Sequence, residues 1–342
     1  MTETVPVTNA AATPERIMQF AWGYAPAFII DAAVRHGYFD ALSLRHMTAA
    51  EIAAATETSE RGAVAILEAL LGIGLLARNR EGRFVLTPES EQYLVSGKPS
   101  FLGAFFEHQT KQIMPCWRSL DEVVKTGRPA MEANDQSQGA EFFRAFVESL
   151  FALGFPAATT LARSLNYPVD APLKVLDIAA GSGVWGIGVA KTYPNASIIA
   201  VDWEGVLPVT RRIAERHDIA ERLTCIAGDI CEADLGTGYD LATLGHILHS
   251  EGEARSRLLL QRVYEALKPG GTIAIQEFLV NRERTDPPQG LLFAVNMLVM
   301  TRDGSTFSFE EIAGWLADAG FADARLLDSP GPSPLILATK PS

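Results

Sequence analysis

Lys174-Val-Leu-Asp-Ile-Ala-Ala-Gly-Ser-Gly-Val-Trp-Gly186 decides the fold class of this chain. Residues 174–178 form a short apolar run typical of a buried strand, and an apolar helical stretch over about 184–193 follows. Between them, Gly181-Ser182-Gly183 lets the backbone turn tightly and come close to a ligand. The helix start beyond that turn offers free N–H groups and a partial positive charge to an anionic group. One βαβ unit later, Asp202 stands at the end of the next apolar strand, placed to accept hydrogen bonds from a ribose diol. Together these features predict a site for an adenosine-containing cofactor on a parallel α/β sheet.

The same alternation continues on both sides of Asp202. Strands are expected at 174–178, 197–201, 223–227, 239–244 and 271–277, with helices at about 184–193, 206–217 and 253–267. Lys268-Pro-Gly-Gly271 reads as a helix stop and turn before the last of those strands. A Met-rich apolar helix over 291–300 and another over 308–319 come next. The chain closes with strands at 324–327 and 335–339 around Ser329-Pro-Gly-Pro-Ser-Pro334. So short a connection requires an antiparallel pair. The fold class is therefore α/β, a doubly wound sheet ending in an antiparallel hairpin.

Ahead of the sheet lies a smaller module. Residues 1–12 read as a disordered polar tail, and Thr13-Pro14-Glu15 as a helix start with Thr13 as cap. Helical apolar spacing runs through Phe20, Trp22, Phe28, Ile29, Ala33 and Val34 up to a stop at Gly37. Thr48-Ala-Ala-Glu51 is a capping-box pattern, and Ser59 caps a second helix from Glu60 to about Leu71. Two short strands, 75–77 and 83–87, follow around the polar turn Asn79-Arg-Glu-Gly82. The order is helix-turn-helix and then a β-wing, a winged-helix pattern. A DNA reader needs a basic face, yet Arg45 to Glu91 holds five Arg and seven Glu. The apolar helices, with Val64, Ile66, Leu67, Leu70 and Leu71, instead suggest burial against another subunit.

Residues 99–166 read as helices rich in Phe, some of them candidates to line a pocket for a flat apolar substrate, with a polar loop over 125–139. The expected domains are a winged-helix dimerisation domain at 13–98, a helical substrate-lining region at 99–166 and the cofactor-binding domain at 167–342. The chain has 342 residues, 48% hydrophobic and 20% charged, with a formal net charge of −12. That balance fits a globular protein and argues against nucleic acid or an anionic membrane as partner. The N-terminus lacks the pattern of a signal peptide, and no apolar run reads as long enough to span a bilayer, so a cytoplasmic protein is expected. Cys116, Cys225 and Cys231 follow no zinc spacing and read as reduced thiols, and no cluster of His, Asp and Glu stands at metal-ligand spacing.

Gly181-x-Gly183-x-x-Gly186 matches a dinucleotide fingerprint literally, so an NAD-dependent oxidoreductase is one reading. Three features favour S-adenosylmethionine instead. Asp177 precedes the glycines by four residues. Gly228-Asp229-Ile230 follows the third strand, where a carboxylate would meet an adenine amino group. The terminal hairpin also lies outside a simple NAD half-domain. Trp203, next to Asp202, is a candidate to stack on adenine, whereas Trp185 reads as packing.

From about residue 15 onward, the chain resembles the small-molecule O-methyltransferases typified by plant caffeate and flavonoid enzymes, with bacterial natural-product relatives. The winged-helix start carries the resemblance, with Trp117-x-x-Leu120 leading to Thr126-Gly-x-Pro129, Val175 through Gly183, Gly228-Asp229, and His249 ahead of Pro269-Gly-Gly271. It implies a class I methyltransferase domain, a homodimer, and cofactor contacts at Gly181, Asp202, Asp229 and around Gly245. His249 follows the fourth strand at the sheet edge where ligands bind, and also stands at the family's catalytic-base position. Glu277 fits an acidic residue that steers the base. The chain departs from the plant pattern where Ser250-Glu251 replaces Asp-Trp, and where Thr306 falls at the place of a second carboxylate. Ser250-x-x-Glu253 reads as a capping box. The expected activity is O-methylation of a small aromatic or polyketide-like metabolite, with a C- or N-methyltransferase as the alternative.

Overall fold

The computed structural model describes residues 12–331 and 333–342, so the tail expected at 1–12 lies almost wholly outside the described residues. The chain divides after Lys98 into two compact units. The stretch 99–166 belongs to the second unit and forms no body of its own.

The first unit holds α1 (Glu15–Ala21), α2 (Ala25–Arg35), α3 (Tyr38–Leu44), α4 (Ala49–Ala55), α5 (Glu60–Gly72), the strands β1 (Leu76–Arg78) and β2 (Phe84–Leu86), and α6 (Pro88–Tyr93). The single helix expected up to Gly37 is two helices. Pro26 occupies the first turn of α2, where its missing N–H costs nothing, and so starts a new helix. Thr13 does not cap α1, whose N-cap is Pro14. Helix α3 was not foreseen; Gly37, at φ +71°, links it to α2. The capping box at Thr48 and Glu51 forms, as does the Ser59 cap, and β1 pairs antiparallel with β2. Contrary to the sequence expectation, Glu15–Arg35 is long and apolar enough to cross a membrane by length and composition, 21 residues with little of it buried. A turn at 22–24 interrupts it.

The second unit opens with α7 (Gly103–His108), which passes through a π-turn into α8 (Met114–Trp117), then α9 (Leu120–Thr126) and the long α10 (Gln136–Ser164). The loop expected at 125–139 is therefore shorter, because α10 begins at Gln136. The α/β part runs β3 (Lys174–Ile178), α11 (Val184–Thr192), β4 (Ser197–Asp202), α12 (Leu207–Arg216), β5 (Leu223–Ala227), β6 (Tyr239–Gly245), α13 (Leu248–Ala266) and β7 (Leu267–Gln276). After it come β8 (Leu279–Val280), α14 (Pro288–Met300), β9 (Phe307–Ser308), α15 (Phe309–Asp318), β10 (Ala322–Leu327) and β11 (Leu335–Thr339). Strand β7 starts four residues before the expected Gly271, since Leu267 already pairs with Tyr239 across a bulge.

The seven-stranded sheet has the order β10-β11-β7-β6-β3-β4-β5. All neighbours are parallel except β11, which runs antiparallel to both β7 and β10. Strand β3 has β4 on one side and β6 on the other, so the strand order reverses there. A crevice opens at the carboxyl ends of strands on the two sides of such a switch point. Period-2 alternation sends Val175 to one face and Leu176 and Ile178 to the other. On the first face they meet Leu161, Ile187 and Ile198; on the second, Leu259, Leu260 and Trp315.

Candidate active site

The glycine turn, Asp202, Asp229, Gly245 and Glu277 all stand at or just past the carboxyl ends of strands. Gly181 and Gly183 hold φ of +53° and +74°, conformations that a side chain would strain. Their turn follows β3 and leads into α11. Ser182 between them is buried, and a Cβ on Gly181 would reach Val147 of α10 at 3.6 Å. Asp177, inside β3, is fully buried and accepts hydrogen bonds from Gly186 N (2.9 Å) and Thr243 Oγ1 (2.8 Å). It therefore ties the start of α11 to β6 and stands back from the crevice.

Burial pushes the Asp177 carboxyl up to about 7, against the pull of those two donors. Between its ordinary 3.8 and about 7, the folded protein retains a proton that the unfolded chain has released. The stability from this group is complete below pH 3.8 and declines as pH rises toward 7, by up to about 1.4 kcal/mol per pH unit. Asp177→Asn keeps an acceptor for Gly186 N and should flatten that slope in denaturant unfolding across the window. An unchanged slope would mean that Asp177 is ionised in the fold.

Asp202 ends β4. Its Oδ2 accepts from Gly181 N and its Oδ1 from Trp203 N, both at 2.7 Å. The carboxylate is thus already clamped onto the glycine turn, and loss of solvent raises its pKa to about 6. Trp203 lies 6.0 Å from Phe143 of α10. After β5, Gly228 leads to Asp229 and the buried Ile230. Arg255 Nη2 contacts both Asp229 oxygens at 2.8 Å, and Cys231 N donates to Oδ1 at 2.7 Å. Arg255 was not foreseen; it stands four residues after Glu251, across the break at Gly252. Its Nε bonds Glu251, so Asp229 is linked through Arg255 to the segment that carries His249. Gly245 ends β6, and the indole of Trp185 fills the space where its side chain would stand. Trp185 belongs to the core, as the sequence suggested.

His249 and Glu277 come together. His249 Nδ1 lies 2.7 Å from Glu277 Oε2, while Oε1 accepts from Leu248 N (2.7 Å) and His249 N (3.3 Å). Both side chains are buried. Burial alone would raise the Glu277 pKa, but the attraction and hydrogen bond of His249, with His246 nearby, outweigh it and hold the carboxyl below its ordinary range. An ionised Glu277 accepts the Nδ1 proton, which leaves the basic lone pair of the neutral ring on Nε2. Around the ring, Phe293 stands edge-on at 4.9 Å and Phe278 lies 4.3 Å from Phe293. Neither Phe was singled out from the sequence. Asn296 of α14 accepts from Trp117 Nε1 at 2.8 Å.

Two expectations need correction. Ser250 and Glu253 form no capping box. Helix α13 already begins at Leu248 and is broken at Gly252, whose φ is +75°, while Glu253 pairs with Arg257. The sequence also gave no sign of a His/Glu cluster at ligand spacing. The structure nevertheless places one donor atom each of His246, His249 and Glu277 within 4.8 Å of one another. Thr306 is buried, and its Oγ1 makes no hydrogen bond.

The model of the O-methyltransferase domain family matches residues 117–322, and that of the O-methyltransferase dimerisation domain matches residues 18–96. This chain belongs to the O-methyltransferase family. Such membership sets aside the oxidoreductase reading of the three glycines. The O-methyltransferase is similar to 3-hydroxy-5-methyl-1-naphthoate 3-O-methyltransferase of Streptomyces sahachiroi, at 28% identity over 96% of this chain and 95% of that one. It also resembles the tetracenomycin polyketide synthesis 8-O-methyl transferase TcmO of Streptomyces glaucescens, at 26% identity over 96% and 97% of the two chains. Among solved structures, PigF with SAH superposes with a TM-score of 0.82 at 27% identity, covering 96% of this chain and all of that one.

Proposed function

We propose that this enzyme uses S-adenosylmethionine to methylate a hydroxyl on a small aromatic or polyketide-like metabolite, with His249 as general base and Glu277 as the group that orients it. The clamped His249–Glu277 pair carries this reading. A phenol with a pKa near 10 is a poor nucleophile at neutral pH, so a base aimed at its proton helps (about 10²–10⁴-fold). His249 Nε2 takes the hydroxyl proton, and Glu277 stabilises the imidazolium that results. Phe278 and Phe293 give an apolar wall against which a flat ring packs beside Nε2. The relatives named for a hydroxynaphthoate and for a polyketide synthesis fit the same acceptor class.

The carboxyl edge of the sheet suits the cofactor. Gly181, Ser182 and Gly183 offer a turn open to close approach, and Asp202 has lone pairs left for a ribose diol because a carboxylate accepts about four hydrogen bonds. In this reading Asp229 and Ile230 meet the adenine, and Gly228, Gly245 and Trp203 border the cofactor. When bound, S-adenosylmethionine supplies an electrophilic methyl group. The residues named here hold and orient it and the acceptor, which is the protein's main part in such a displacement.

Calorimetric titration with S-adenosylhomocysteine, and with NAD in parallel, tests the cofactor. Mass spectrometry of products from hydroxylated aromatics tests the acceptor. Binding of the first nucleoside alone and a methyl group on oxygen would support the proposal; methyl on carbon or nitrogen would replace it.

The same proposal includes a homodimer. Ile17, Phe20 and Trp22 in and after α1 are 73%, 73% and 67% exposed, an apolar face within or beside the stretch that matches the dimerisation domain. A second copy covering it removes that area from water. Phe20→Asp together with Trp22→Asp should shift the protein from dimer to monomer in light scattering. A variant that stays dimeric would place the interface elsewhere.

A further inference from the structure

We propose that His246, His249 and Glu277 bind one divalent transition-metal ion of the zinc type, and that a metal held there switches off the His249 base. The switch half rests on the role proposed for His249; the binding half does not.

The donors are two imidazoles and a carboxylate, a set that zinc takes with three protein ligands. Their atoms lie within 4.8 Å of one another. Tetrahedral bonds of about 2.1 Å would put them roughly 3.4 Å apart. The pair His249–Glu277 must open slightly from 2.7 Å, and His246 must close in.

His246 supplies the second, independent observation. Gln276 Nε2 donates to the carbonyl of Ser333 at 2.9 Å, which fixes the amide with Oε1 toward His246. That oxygen stands 3.1 Å from His246 Nε2, so Nε2 carries the proton and donates it. The lone pair is therefore on Nδ1, and Nδ1 is buried with no hydrogen-bond partner. A buried acceptor left unpaired is costly, so the site has a reason to hold something there. A histidine whose far N–H is anchored by a carbonyl, with its other nitrogen bare, has the second-shell arrangement of a metal ligand. His246 also sits at φ +56°, a left-handed backbone that few non-glycine residues adopt and that clusters at functional sites.

The consequence for His249 follows from its protons. Without metal, Nδ1–H faces Glu277 and Nε2 is the acceptor. A metal on Nδ1 uses the lone pair there, so the single proton of the neutral ring moves to Nε2. A nitrogen that already bears a proton cannot take one from a hydroxyl. Charge and proton count on the ring are unchanged; only the base is lost.

Full-length protein freed of metal by a chelator should bind one equivalent of Zn²⁺ in competition with a chromophoric chelator. With Co²⁺ it should show visible bands lacking sulfur charge transfer. His246→Asn, chosen because Asn tolerates the left-handed backbone, should weaken Zn²⁺ at least tenfold. If that variant fails to fold, Gln276→Leu, which removes the anchoring carbonyl, should weaken binding about 10–100-fold. Binding unaffected by these changes, sulfur charge transfer from the cysteines, or no stoichiometric binding would each overturn the site. Saturating Zn²⁺ should also abolish methyl transfer reversibly without changing the affinity for S-adenosylhomocysteine. A rate untouched by bound zinc would overturn the switch. Because binding is read without turnover, it stands or falls separately from the proposed reaction.

Discussion

His249→Ala is expected to lower turnover by about 10²–10⁴-fold while leaving the affinity for S-adenosylhomocysteine within a few fold. The two effects separate because the ring meets Glu277 and two phenylalanines, whereas the glycine turn, Asp202 and Asp229 lie on other strands. Glu277→Gln should cost nearly as much, for a reason specific to its contacts. Leu248 N and His249 N both donate to one carboxylate oxygen, so the amide must place its carbonyl there. Its NH₂ then points at His249 Nδ1 and forces that nitrogen to accept. The ring proton moves to Nε2, and the base is lost although the histidine remains, as when an orienting carboxylate becomes an amide in a catalytic triad. Steady-state rates of both variants with one acceptor decide the matter. A wild-type rate in either would remove the paired-base assignment. Loss of folding can be told apart by the thermal transition, since Asn or Gln at position 249 offers a second, less disruptive probe.

Gly245→Ala is expected to destabilise the protein through a single added methyl group near the site. A Cβ there would stand 1.9 Å from Trp185 Nε1 and 2.7 Å from its Cδ1. Trp185 is 5% exposed and embedded in the core, so it cannot simply swing into solvent. Overpacking of this kind costs typically 1–3 kcal/mol, and each kcal/mol lowers Tm by roughly 2–4 °C in a domain of this size. Because β6 and α11 both lead into the crevice, binding of S-adenosylhomocysteine should weaken together with stability. Gly314→Ala is the control: the site is helical, and an added Cβ meets nothing within 4 Å. Alanine there should be neutral or slightly stabilising, since it restricts the unfolded chain more than glycine does. A Tm for Gly245→Ala equal to that of Gly314→Ala would mean that the indole repacks freely.

Much of the sheet was legible because strand and helix periods are local properties. Strands β3, β5 and β11 fall at the expected residues, and β4 and β6 run one residue longer. Caps at Thr48 and Ser59 also formed as their spacing indicated. The capping box read at Ser250 failed because the chain leaving β6 is held by Glu277, which accepts from Leu248 N and His249 N and starts the helix earlier. Gly252 then breaks the helix, where a side chain would strike the Asp303 carbonyl at 2.4 Å. A local pattern lost to a distant carboxylate and a distant loop.

The sequence by itself determined the α/β class, the glycine turn after β3, and the placement of Asp202 and Gly245 at strand ends and of Asp229 and His249 just past them. Those follow from short-range periodicity and from the rule that such sheets bind ligands at their carboxyl edge. Only the tertiary structure decided which side chains meet. Strand β7 lies beside β6, which brings Glu277 onto His249 across 28 positions of sequence and puts His246 beside them both. Helix α11 lies across the sheet so that Trp185 fills the space at Gly245, and Arg255 reaches Asp229 from α13. Strand order and helix packing set these contacts, and both come from minimising exposed apolar surface over the whole chain, a quantity that no local window contains.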